Sequence, residues 1–215
     1  MQRVMVVDYD TAWPECYEKE AEALAAVFGP ELVALHHIGS TSVPGLAAKP
    51  IIDILAEVRD IRRVDALDSG FVRLGYEPMG EFGIPGRRYF RKDSLVAGER
   101  QRTHQMHVFA HSDRENVVRH LAVPAYLRRH PQEAAAYAEL KRALAARYPE
   151  NIGAYCDGKD AFVNALERRA VEEYRRGAAP HPAAFLKRAA KNKNKSPETP
   201  LATRGRRLGL FWENG

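Results

Sequence analysis

The sequence predicts an α+β protein: a mixed sheet in the first half and helices gathered in the second. Short runs of branched and aromatic residues with strand patterning occur only before Ser112. From Ser112 onward apolar residues recur at helical spacing, and prolines divide that half into segments. Strands first and helices after is the signature of a sheet with helices packed on one face or end.

The elements follow in order. Asp10 or Thr11 caps a first helix that has Pro14 in its first turn and carries Trp13, Tyr17, Leu24 and Phe28 before Gly29 ends it. Residues 31–38 read as a strand, 39–48 as a loop and 51–58 as a second strand. Asp60 caps a helix with Ile61, Val64, Leu67 and Phe71 at helical spacing, closed near Gly75. After the glycine-rich connection 80–86 come strands at 87–92 and 103–110. Helices are expected at 112–120, 124–129, 132–147 and 157–176, broken at Pro124, Pro131 and Pro149.

Composition sets the class. With 45% hydrophobic and 28% charged residues the 215-residue chain is neither a disordered nor a membrane sequence, and it is long enough for one large domain. The opening MQRVMVVDYDTAWPE lacks a secretory apolar core and no later run reaches membrane-spanning length, so a cytoplasmic protein with no membrane partner is expected. Cys16 and Cys156, far apart, read as two buried thiols.

The net charge of +5 is unevenly placed. Residues 177–215 carry eight Lys/Arg against Glu198 and Glu213, a balance of +6, which leaves 25 basic and 26 acidic residues before them, a balance of −1. The division is therefore a folded domain over 1–176 and a flexible basic tail over 177–215. Within the tail, Leu208 to Trp212 is apolar enough to dock on the body or on a second subunit. The tail's charge offers RNA a salt-sensitive attraction, without the aromatic interleaving of a specific reader.

The chemistry concentrates between His36 and Val58. Gly39, Ser40, Thr41 and Ser42 supply a turn with three hydroxyls, Gly45 lets the loop bend, Pro44 and Pro50 stiffen it, and Lys49 adds a cation. That is a cradle for phosphate oxygens. In the strand that follows, alternation puts Ile52, Ile54, Ala56 and Val58 on one face and Asp53, Leu55 and Glu57 on the other. A carboxylate beside a phosphate loop, if the two strands are neighbours, is placed to hold Mg²⁺ against a nucleotide. Glu57, about 13 Å further along by strand rise, reads as a solvated end residue.

Residues 37–53, HIGSTSVPGLAAKPIID, resemble the central motif of the GrpB family, a bacterial group placed in the nucleotidyltransferase superfamily typified by DNA polymerase beta. Similar blocks lie at 9–14, 87–92, 103–108, 120–131, 137–141 and 155–163. The resemblance implies a nucleotidyltransferase-like mixed sheet with a helical C-terminal part. It also implies nucleotide phosphates on the Gly-Ser loop and divalent metal, Mg²⁺ or Mn²⁺, on strand carboxylates. The superfamily pattern of Gly-Ser, a spacer and Asp-x-Asp or Asp-x-Glu is matched by Gly39, Ser40 and Asp53, while Leu55 stands where a second carboxylate belongs. His107 occupies the position expected of the third carboxylate. His104, His107 and His111 do not share one strand face, which argues against a zinc site built from them.

The expected catalytic residues are therefore Asp53, which also ligates the metal, and His107. Gly39, Ser40, Thr41, Ser42, Lys49, Arg91 and Lys159 are expected to bind nucleotide. Arg88 and Lys92 can neutralise a triphosphate from the same strand as Arg91, and Lys141 reads as an exposed member of an amphipathic helix. The function that follows is a nucleotidyltransferase using ATP or another nucleoside triphosphate, a divalent ion and an unknown acceptor. The alternative is a non-catalytic nucleotide-binding or accessory protein on the same fold, with the lost carboxylate marking lost chemistry.

Overall fold

A computed structural model describes residues 3–96 and 98–177. The expectations placed on 178–215, including docking by Leu208 to Trp212 and RNA attraction by the tail, lie outside the described residues.

Helix α1 (Trp13–Phe28) begins after Asp10 Oδ1 accepts the Ala12 amide proton at 2.8 Å, and Gly29, at φ 56°, ends it. Its side chains Trp13, Tyr17, Ala21, Leu24 and Phe28 are buried against a five-stranded sheet. The strands are β1 (Leu32–Ile38), β2 (Ile52–Val58), β3 (Tyr76–Pro78), β4 (Arg88–Val96) and β5 (Glu99–Ala110), ordered β1-β2-β5-β4-β3. Only the central β2–β5 pair is parallel; the others are antiparallel, so the sheet is mixed.

Alternation sorts the sheet's two faces. Ile52, Ile54, Ala56, Val58, Phe90, Met106 and Val108 pack with α1, Phe71 of α2 (Asp68–Arg73) and Tyr76 in the larger core cluster. The other face presents Ile38, Asp53, Leu55, Gln105, His107 and Phe109 to the helical layer, formed by α3 (Arg114–Arg129), α4 (Pro131–Arg147) and α5 (Ile152–Arg175). The loop residues Val43, Leu46 and Ala47 are sandwiched between them, packed with α3, α4 and α5. An N-terminal segment pins that loop through an antiparallel Val7–Ala48 bridge, and its Val4 amide donates to Pro149 O at 2.7 Å.

Several expectations are corrected. Residues 61–75 are not one helix: two 3-10 turns precede the short α2, and Gly70 accepts Val27 so closely that a Cβ there would lie 2.6 Å from its methyl. Tyr76–Pro78 is an additional strand too short for alternation to reveal, and β4 and β5 extend into a hairpin through polar residues. Pro124 does not break α3. It sits buried within it, giving up one backbone hydrogen bond in a helix whose residues from Val117 to Leu127 are mostly buried. Pro131 and Asn151 start α4 and α5 as ordinary N-terminal signals do, and α5 begins at Ile152 rather than 157. Cys16 is exposed, not buried, because it lies on the solvent side of α1; Cys156 is buried. A thiol reagent is therefore expected to label one cysteine in the native protein and two in denaturant, counted by mass spectrometry; two rapid labels would contradict the placement of α5.

Candidate functional site

The Gly39–Lys49 loop, β2, β5 and helices α4 and α5 meet around one pocket, lined by Ser40, Thr41, Ala48, Lys49, Ile51, Asp53, Gln105, Lys141 and Tyr155. About 10 Å³ is left between them, room for one water or one small ion.

Gly39 and Asp53 form its tightest junction. Antiparallel register sets Ile38 opposite Asp53, so the next residue turns across the Asp53 side chain. A Cβ at position 39 would lie 2.3 Å from Asp53 Oδ2, and Gly39 has φ 68° and ψ −171°, a region that glycine alone occupies. Asp53 itself is 7% exposed.

Of the three loop hydroxyls, two stitch the loop together. Thr41 Oγ1 donates to Ile51 O at 3.1 Å and meets His37 Nε2 at 3.0 Å. With its one proton committed, it accepts from the His37 ring. Ser42 Oγ donates to Gly39 O at 2.8 Å, and Arg128 holds the Ser42 carbonyl at 2.7 Å. The amides of Ser42 and Val43 close the turn onto Gly39 O and Ser40 O. Ser40 is different: its hydroxyl accepts from Lys141 Nζ at 2.8 Å.

The lysines are the part least visible in the sequence. Lys141 is 1% exposed, not a solvated surface residue, and its ammonium also lies 4.3 Å from the Tyr137 ring centroid. Lys159, 3% exposed, places Nζ 4.6 Å from the centroid of Tyr155, the ring that walls the pocket; Lys49 Nζ is 5.7 Å from the same ring. Three cations thus stand in or behind a wall that contributes one carboxylate, Asp53. Such a balance favours an anion. Lys141 lies in the 137–141 block that carried the family resemblance, so a signal existed; helical spacing alone pointed the other way.

The remaining expected residues are elsewhere. Parallel register places Gln105, not His107, level with Asp53, and His107 is level with Leu55. His107 is fully buried; its Nδ1 is 3.3 Å from Arg87 Nη1, its ring lies beside Tyr89 and His120, and burial drives its pKa well below 6.5. It does not line the pocket. Arg91 is level with Gln105 but its Nε donates to Glu77 Oε2 at 2.7 Å. Arg88 is held by Asp65, and Lys92 by Glu20 on the α1 face. Leu55 is buried in an apolar cluster with Ile38, Phe109, Val117 and Leu121.

Glu57 is 2% exposed rather than solvated. Its Oε1 meets His36 Nε2 at 2.7 Å, and its Oε2 meets His111 Nδ1 at 2.6 Å and Arg114 at 3.4 Å. Burial raises its pKa, but these hydrogen bonds outweigh that and hold it below the ordinary carboxylate value.

The side-chain oxygens of the lining residues belong to Asp53, Ser40, Gln105, Thr41 and Tyr155. Oxygens of this kind could ligate one hard cation such as Mg²⁺. No group of three or more His, Cys, Asp and Glu residues able to hold a metal occurs among the described residues. No helix among them is long and apolar enough to cross a membrane.

A family model described as GrpB protein matches residues 3–169. The chain is 46% identical over 169 residues to UPF0157 protein YqkA of Bacillus subtilis, a match covering 79% of this chain and 48% of that one, about half its length. It is 38% identical over 169 residues to UPF0157 protein PA4798 of Pseudomonas aeruginosa, covering 79% and 68% of the two. The crystal structure of conserved protein GrpB from Enterococcus faecalis is similar with a TM-score of 0.75 at 45% identity, covering 79% of this chain and 99% of that one.

Proposed function

We propose that this chain, which belongs to the GrpB family, is a nucleotidyltransferase-type protein on a nucleotidyltransferase-like fold. It binds a nucleoside triphosphate such as ATP and passes a nucleotidyl group to an acceptor hydroxyl, phosphate or amine. The observation that carries the reading is the setting of one carboxylate, Asp53, against Lys49, Lys141 and Lys159 beside a Gly-Ser turn. Lys141 and Lys159, desolvated at a cost of several kcal/mol, are a fixed positive wall for phosphate oxygens. Asp53 and Gln105 would hold one Mg²⁺, which when bound neutralises charge on the phosphates. The pocket between the loop and the helices is where the phosphates would meet this wall.

A second reading, binding without transfer, is favoured by Leu55 and Gln105: the positions beside Asp53 that would ligate a second ion carry a hydrocarbon and an amide. The two separate in one set of measurements on the full chain. Calorimetry with ATP is expected to show binding strengthened by Mg²⁺, with one Mn²⁺ bound per chain by paramagnetic resonance. Asp53→Asn is expected to abolish that strengthening and to lower pyrophosphate release roughly 100-fold or more. Metal-strengthened binding with no pyrophosphate release selects the second reading. Unchanged turnover in Asp53→Asn, with the fold intact, defeats the first.

A further inference from the structure

The sheet floor beside Asp53 carries polar groups that this reading leaves unused. The β4–β5 register runs regularly from Arg88↔Val108 to Lys92↔His104 and then slips, pairing Asp93 with Arg102. Thr103 is the extra residue. Simple alternation would send Arg102 to the α1 side with His104 and Met106; the bulge turns it to the face of Asp93, Arg91 and Asp53. Bulges beside a site re-aim a side chain in this way.

Arg102 is 8% exposed. Its Nε donates to Asp93 Oδ1 at 2.5 Å, which secures one edge of the guanidinium, while Nη1 is buried with no hydrogen-bond partner among the described residues. On the same face, the Tyr89 hydroxyl is buried and also without one. Tyr89 lies within electrostatic range of both Asp53 and Arg102: burial and then Asp53 raise its pKa to about 12, against the opposing pull of Arg102, Arg87 and Arg91. Asp93 also receives Arg100 and Glu77 receives Arg91, so with Asp53 counted three arginines share this face with three carboxylates, and Arg102 Nη1 is the guanidinium nitrogen left buried without an acceptor.

Leaving a guanidinium nitrogen and a phenol unsatisfied in a buried setting is unfavourable for each group, because neither recovers the hydrogen bond it made to water. Both are donors, one is cationic, and a guanidinium edge matches a carboxylate or a phosphate. We propose that Arg102 Nη1 anchors an anion subsite on the sheet face that carries Asp53, with the Tyr89 hydroxyl further along that face, and that it takes the carboxylate or phosphate of the acceptor. The word acceptor rests on the function proposed above; the anion subsite does not. The acceptor substrate is thereby an anionic molecule, held on the sheet while the nucleotide is held from the helices.

The test uses inorganic phosphate and acetate as separate probes on the full chain labelled with ¹⁵N-arginine, followed through the Arg102 guanidinium signals. A saturable Arg102 shift with either anion, persisting in Lys141→Met, is expected; phosphate alone or acetate alone identifies which acceptor group is taken. By calorimetry, Arg102→Gln should weaken that anion roughly 10- to 100-fold while ATP binding changes less than about twofold. Arg102→Lys, which keeps the charge and loses the fork, should fall between. Absence of any Arg102 shift with both anions overturns the proposal without the need for a variant, as does Arg102→Gln binding them like the parent. Failure of ATP to bind at all would count against the function proposed above and leave these titrations readable.

Discussion

Gly39→Ala is expected to destabilise the protein by about 3 kcal/mol or more, and to remove metal-strengthened ATP binding with it. The backbone at 39 lies where an alanine costs about 1–3 kcal/mol in strain alone. The new methyl would also overlap Asp53 Oδ2 at 2.3 Å, against a strand that is hydrogen-bonded on both sides and cannot retreat. The carboxylate must therefore rotate away from its place beneath the loop. Gly45→Ala is the control: its φ of 79° also disfavours a side chain, yet no atom lies within 4 Å, so its cost should stay near 1 kcal/mol and spare the ligand. Chemical denaturation of both variants and of Gly39→Ala in an Asp53→Ala background measures the coupling. Equal losses in the two glycine variants would show that the Asp53 contact decides nothing.

Acidification is expected to destabilise the protein over two successive pH ranges. Burial brings His37 and His120 down to about 3 and His104 to about 4, and it holds His107 well below 6.5. Each is neutral in the fold but takes a proton below 6.5 when the chain unfolds. Their stabilising contribution is complete above pH 6.5 and drains as pH falls toward the folded values, at about 1.4 kcal/mol per pH unit for each histidine. Several kcal/mol are at stake between pH 6.5 and 5. Glu57, held low by His36 and His111, contributes above about pH 4.5 and is lost below it. Urea unfolding at pH 7.5, 6.5 and 5.5 should show the midpoint moving downward, with His104→Gln giving a shallower slope than the parent. A midpoint constant from pH 7.5 to 5.5 contradicts the burial of these rings.

The parts of this fold legible in the sequence are those set by local pattern. β1, β2, the core of β5 and the Gly39–Asp53 spacing follow from alternation and turn chemistry, and they are where the structure puts them. What was not legible is what partners decide. Glu57 is buried because His36 comes from one neighbouring strand position and His111 from beyond the end of another. Lys141 looks like a surface lysine on its own helix and becomes an interior one only because the Ser40 loop lies against it. Gln105 and His107 differ by two positions, and only the β2–β5 register says which is level with Asp53. Arg102 changes face through one extra residue, which no periodicity announces.

The parallel β2–β5 pair at the centre of the sheet also governs when the pocket comes into being. Asp53 and Gln105 are 52 positions apart, and Ser40 and Lys141 are 101 apart. Closing loops of that length is entropically slow, and the reward arrives only after both ends are in place. A nascent chain that has emerged through β2 already owns the glycine turn and its aspartate, yet it has no floor beside them and no cations above them. The hairpin of β4 and β5 and then the last two helices must dock before the loop meets its lysines. The pocket thus exists only in the completed domain, because its floor and its cations come from β5, α4 and α5.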